Sequence, residues 1–370
     1  MYVPKPTRAK DRRKNSKAGE SPDLLERVIG MGCTRLAVVS LHPGAGARTV
    51  VEALSAEAPG RGVDIGVTSI PRIDTVAENA DRVIGVTLPQ GAIVATAASV
   101  VDDAPTLEPL ERIDCTTPLG DLCVCRVTEP SQVPVYGPDD GPMLGAALDR
   151  LEARSQGLVM VNGAWERHGF AAPDVTRAVV LAVGSTYSGE PQRSAAAVRY
   201  TVEMLGLPRH SVPLDRVWRE AADRSRRQAV DRNGQRLGEF PEDDADRAFA
   251  LESLGPDLEA LVIPGFLSDS LLTSLVRSQV CCTLVVKDAS RVRVSPVYYT
   301  AWTKKGGKVA VIEPTNLIAV ASNPTNPNGP DADAAEFRQM VAEAVPEVPV
   351  HDVRLEAEEE PERPKWKFWG

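Results

Sequence analysis

"SLHPGAGART", Ser40–Thr49, stands between an apolar run, RLAVV (35–39), and a stretch of helical spacing, VVEALSAEA (50–58). Strand, glycine-rich turn and helix are the setting of a phosphate-binding loop. Such a loop works because successive backbone N–H groups and a helix N-terminus converge on an anion. Glycines let the backbone approach, a lysine neutralises the outer phosphates, and a Ser or Thr hydroxyl helps hold magnesium. Here Gly44, Ala45 and Gly46 supply the permissive turn, Pro43 stiffens its entry, and Thr49 places a hydroxyl near the helix start. No lysine is present. If Gly46 is the last loop glycine, Ala47 takes the lysine position and Arg48 that of the Ser/Thr. If Ala47 replaces that glycine, Arg48-Thr49 mimics Lys-Thr, with a guanidinium whose planar fork differs from an ammonium. A strand-to-helix turn without a ligand is the plainer alternative.

A working site of this kind also needs a carboxylate at the end of a second buried strand to hold magnesium. The matching strand is LVMVNG (158–163), and its tip carries Asn162. Asn162 can accept a hydrogen bond but brings no charge. Both changes remove charge from the same place.

The rest of the chain bounds the answer. It has 370 residues, 43% hydrophobic and 25% charged, which is long enough for a large core and ordinary for a globular protein. A formal net charge of −9 argues against nucleic acid as the main partner. No apolar run reaches membrane-spanning length and no basic-then-apolar leader opens the sequence, so the expected location is the cytoplasm, away from membranes. Six cysteines (33, 115, 123, 125, 281 and 282) form no C-x-x-C pair, and the four histidines (42, 168, 210 and 351) form no H-x-x-x-H pair. Buried thiols in a reducing compartment, with no metal site, are expected.

Strand-like runs recur at 35–40, 63–69, 92–97, 121–127, 157–163, 177–184, 258–265, 283–288, 308–314, 316–323 and 348–353. Many are continuous Val/Ile/Leu runs ending in Gly, Asn or Asp, as in parallel strands buried on both faces. Helical spacing falls between them at 47–57, 141–155, 191–205, 266–279 and 332–344. The alternation predicts an α/β fold, a doubly wound and mostly parallel sheet of P-loop NTPase-like type. One such domain is expected over 22–355, with a charged insertion at about 215–250 read as an exposed helix followed by a surface loop. Residues 1–21 are basic and expected to be disordered. Residues 356–370, with an acidic run and an aromatic tip (Trp366, Phe368, Trp369), read as a solvated tail or as a docking peptide.

Several stretches together carry a family resemblance. GLVMVNGAWERHGFAAPDVTRAVVLAVGS (157–185) resembles a segment of the nucleotide-binding subunit of the reactivating factor for lysine 5,6-aminomutase, an adenosylcobalamin-dependent enzyme. The likeness extends through DIGVTSIPR (64–72), GAIVATA (91–97), TTPLGDLCVCRV (116–127), VIPGFLSDSLL (262–272), LVVKDASRVRVSPVYY (284–299), KKGGKVAVIEPTNLIAVASNPTNPNG (304–329) and VPVHDV (348–353), in order over most of 30–355. It implies a P-loop-type α/β protein that acts with a second reactivase subunit and uses ATP and magnesium to restore a blocked aminomutase. The family's loop ends in Gly-Lys-Thr; ungapped alignment puts Gly46 on the glycine, Ala47 on the lysine and Arg48 on the threonine. The family's Asp falls on Asn162. Thr68, Ser69 and Arg72 persist from the family's second-strand segment, while its glycine and following acidic position change. The positions most needed for ATP hydrolysis are those that depart.

Other residues qualify for the edge of the site. Asn323 and Asn326 lie in NPTNPNG (323–329), read either as a ligand-contacting loop at the carboxyl edge of the sheet or as a rigid turn capped by its own side chains. Glu166, after Asn162, and Asp288, after the strand at 283, are candidate replacement carboxylates. No D-x-H-x-x-G motif for direct cobalamin binding and no G-x-S-x-G elbow occur. Three functions follow: an accessory factor of the reactivase type binding nucleotide weakly or not at all, a catalytically dead scaffold or regulatory subunit of an unrelated complex, or an ATP-dependent ligase with Arg48 in the lysine's role.

Overall fold

The run Leu36–Val39 is wholly buried because strands lie on both sides of it and helices cover both faces. The computed structural model describes residues 23–70, 85–117, 119–138, 141–187, 190–240, 255–277, 280–326 and 329–355. The strands are β1 (Arg35–Ser40), β2 (Ile65–Ser69), β3 (Gly85–Leu88), β4 (Ile93–Ala97), β5 (Leu107–Thr117), β6 (Gly120–Val127), β7 (Ser131–Pro134), β8 (Leu158–Ala164) and β9 (Ala178–Gly184). They continue with β10 (Arg227–Val230), β11 (Arg236–Phe240), β12 (Ala260–Val262), β13 (Leu267–Ser268), β14 (Thr283–Val286), β15 (Val292–Arg293), β16 (Lys308–Val311), β17 (Leu317–Asn323) and β18 (Val350–His351).

Among the described residues nine strands form the large sheet, in the order β18-β17-β9-β1-β8-β2-β4-β6-β5. From β18 to β4 every neighbouring pair is parallel. The hairpin of β5 and β6 then closes one edge in antiparallel fashion. The run 121–127 therefore belongs to an antiparallel strand, although its apolar character reads like that of its parallel neighbours. Helix Ala47–Glu57 packs on one face through Val50, Val51 and Leu54. Helices Gly141–Ser155, Pro191–Leu205 and Ala334–Ala344 pack on the other through Leu148, Val202 and Val341. The molecule is thus a mixed α/β protein built on a large, mostly parallel sheet.

The sequence reading put all its strands in one sheet; the structure divides them. Between β9 and β17, which are neighbours in the large sheet, the chain leaves and builds a second sheet, β11-β10-β12-β14-β16. This sheet has apolar layers on both faces, one around Leu261, Leu284 and Trp302 and one around Val262, Val285 and Ile312. The segment read as helix plus surface loop needs correction for the same reason. Helix Asp215–Arg224 is present, but β10 follows it, paired on both sides and burying Gln228, Ala229 and Val230. Residues 241–254, the terminal segments 1–22 and 356–370, and Arg72 lie outside the described residues. Among the described residues no helix is long and apolar enough to cross a membrane.

Candidate functional site

The next strand after β1 in this sheet, β2, lies to one side of it, and the next after β9, β17, lies to the other. The crevice between β1 and β9 is thus the topological switch point, where α/β sheets place ligands beyond the strands' carboxyl ends. The loop Leu41–Gly46 sits there. Gly44 and Gly46 both have positive φ, 77° and 99°, so two left-handed residues alternate before the helix begins at Ala47. Gly46 is the N-cap and offers no side-chain cap. The first helical backbone bond is Val50 N–H to the Gly46 carbonyl, 3.1 Å. The N–H groups of Ala47, Arg48 and Thr49 precede it, the arrangement of an anion-binding nest.

The loop is clamped from behind. His42 Nδ1–H donates to the Pro43 carbonyl at 2.8 Å, which leaves Nε2 to accept the Gly184 N–H at 3.2 Å. Gly184 has no room for a side chain: a Cβ would stand 3.0 Å from the His42 ring and 3.1 Å from Ala45 Cα. On the other side Asn323 Nδ2 donates to the Gly44 carbonyl at 3.1 Å. A Cβ on Gly46 would lie 2.8 Å from Asn323 Cβ. Asn323 Oδ1 accepts the Thr325 N–H at 3.3 Å, so both ends of its amide hold backbone.

Asn162 lies on β8, the neighbour of β1. It is paired with Val38 of β1 and Ser69 of β2, and by strand alternation it projects to the face that helix Ala47–Glu57 covers. Its Oδ1 is buried without a hydrogen-bond partner. Ser69 shares that face, but its hydroxyl donates to the Val135 carbonyl at 2.8 Å. Ala47 is buried in the core with Val50 and Val51. Arg48 runs along the helix: its Nε is 3.9 Å from Glu52 Oε1 and its Nη1 donates to the Gly85 carbonyl at 3.5 Å. The guanidinium therefore points away from the nest.

Other predicted residues lie elsewhere or serve as braces. Glu166 is exposed on the turn Trp165–Ala171, which packs on the opposite face through Phe170 and Ala171, and its carbonyl accepts Arg293 Nη1 at 2.7 Å. Asp288 follows β14 of the second sheet by two residues; its Oδ1 caps the next turn through the Ser290 N–H at 2.8 Å and its Oδ2 is buried without a hydrogen-bond partner. Asn326 donates its N–H to Asp331 Oδ1 at 2.7 Å within the turn after β17.

Two charged residues that the sequence reading passed over stand beside the loop. A cavity of about 10 Å³, room for one water at most, is lined by Gly46, Thr49, Asn323, Asp352 and Arg354 among others. Asp352 is 1% exposed, and its Oδ1 caps the turn after β18 through the N–H groups of Arg354 (3.1 Å) and Leu355 (3.3 Å). Arg354 Nη1 donates to Thr325 Oγ1 at 2.7 Å. Their signal was HDVR after an apolar run, an aspartate capping the turn that follows a strand. What the loop itself turns toward an anion is the backbone N–H groups of Ala47, Arg48 and Thr49. Ala47 faces the core, the Asn162 amide is neutral, and Asp352 Oδ1 is engaged as a cap. Set against protein-family models, curated proteins and solved structures, the chain matches none.

Proposed function

We propose that the protein is an accessory factor of the reactivating type: a P-loop-like α/β protein that serves an adenosylcobalamin-dependent aminomutase together with a second subunit. It holds nucleotide weakly or not at all. The observation that carries the reading is the pair of left-handed glycines, Gly44 and Gly46, at the switch point of a parallel sheet, with Asn162 beneath the helix that follows. The ordered sequence likeness to the reactivating-factor subunit supplies the partner. Co-purification from the native cell tests it, the expected result being an adenosylcobalamin aminomutase recovered in near-stoichiometric amount; its absence removes the reading.

The scaffold reading stays in view on one observation. Asn323 and His42 fill the back of the loop, and the adjoining cavity holds about 10 Å³. A phosphate-loop backbone kept as a rigid brace would look this way. In either reading steady-state phosphate release from ATP stays at background. Release that Arg48→Ala abolishes would overturn this and restore the ligase reading.

A further inference from the structure

Beside the loop, a groove of about 670 Å³ runs along the outer side of helix Ala47–Glu57. Its apolar lining comes from Ala53, Ala56, Leu88, Pro89, Pro130 and Val353, and Thr49 and Arg354 stand at the end nearest the loop. Glu52 supplies a carboxylate within it, held by the Thr87 N–H at 2.9 Å. The chain leaves this groove at Arg354 and Leu355, and fifteen more residues, EAEEEPERPKWKFWG (356–370), follow.

We propose that this groove is the docking site of the chain's own carboxyl-terminal aromatic motif, Trp366, Phe368 and Trp369. Reach permits it. The eleven residues from Leu355 to Trp366 span at most roughly 36–40 Å when extended, several times the width of a cavity of this size, so the chain can turn back onto the surface it has just left. Chemistry matches along its length. The tip alternates aromatic rings with Lys365 and Lys367, as suits an apolar trough that contains one carboxylate, Glu52. The acidic run Glu358–Glu360 comes first, four to six residues after Arg354, the cation that lines the groove at the loop end. A tether fixed at the rim holds its motif at an effective concentration of the order of millimolar. A free partner or a second copy would have to reach such a concentration to compete. The docked tail covers the flank of the loop helix beside Thr49, so a partner of that face has to displace it. The inference stands apart from the nucleotide reading.

Disulfide trapping in the full chain tests it. Cys281, the exposed thiol, is replaced by serine throughout. One chain carries Ala56→Cys with Phe368→Cys, and a control carries Leu237→Cys, exposed on β11 of the second sheet, with Phe368→Cys. Under mild oxidation at high dilution, the first chain is expected to close an intramolecular disulfide about tenfold faster than the control. Adding Ala53→Glu is expected to bring that rate down to the control's in a chain that still unfolds cooperatively. Equal rates in the two chains overturn the proposal. Cross-linked dimers without the intramolecular product overturn it in favour of a second copy. A rate indifferent to Ala53→Glu also overturns it.

Discussion

Gly46 carries two constraints at once: a φ of 99° that L-residues avoid, and Asn323 against the position its Cβ would take. Gly46→Val is expected to cost roughly 1–3 kcal/mol of unfolding free energy, measured by denaturant titration, and to abolish whatever anion affinity the nest has. Arg48→Ala should do neither. Its guanidinium is half exposed and faces Glu52, so nucleotide affinity should stay within about twofold and stability within about 0.5 kcal/mol. A titration in which Arg48→Ala removes binding while Gly46→Val leaves it would reverse the assignment. Ala47→Lys, the naive repair of the loop, places an ammonium in the core beside Val50 and Val51. It should destabilise by about 3–5 kcal/mol without restoring phosphate release, which a coupled assay reads directly.

Helices 47–57, 141–155 and 191–205 were legible in the sequence with the bounds the structure gives them. Each is long and amphipathic, and the last is bracketed by Pro191 and Gly206. Of the second sheet, β12, β14 and β16 fall within the apolar runs at 258–265, 283–288 and 308–314, but β10 and β11 were not legible, being four and five residues long and carrying arginines and a glutamate, nor was the division into two sheets. One signal was there: Asn233-Gly234 between them, with Gly234 at φ 77° and the turn tied by Asp231 Oδ1, is a hairpin connection. The site divided along the same line. The nest and Asn162 follow from strand, loop and register. Asp352 and Arg354 arrive from the far end of the chain, which a local motif cannot foresee. Thiol chemistry gives an element-level check. Burial pushes Cys125 on β6 and Cys282, just before β14, up to about 12, while Cys281 is exposed. Iodoacetamide at neutral pH is expected to modify Cys281 first and to leave Cys125 and Cys282 unmodified until the chain unfolds, as peptide mapping would show.

The two sheets meet where the turn Trp165–Ala171 packs on the turn Ala289–Arg291. His168 lies in this joint, 2% exposed and stacked on Trp165 at 4.1 Å between ring centroids. Burial, with Arg293 nearby, pushes its pKa down to about 4 from 6.5. The unfolded chain therefore binds a proton that the folded one refuses. The joint's stability is whole above pH 6.5 and falls as the pH drops toward 4, by about 3 kcal/mol in all. His168→Leu should flatten that part of the pH profile of thermal unfolding; an unchanged slope would assign acid lability elsewhere.

The bond from Asn323 to the Gly44 carbonyl joins residues 279 apart in sequence. On the ribosome, the strand and glycines of the loop emerge well before the side chain that holds them in place, which follows 279 residues later. During that interval the whole second sheet is made. The nest is therefore a late product of synthesis, and a chain that stops short of β17 carries the motif in its sequence without its shape.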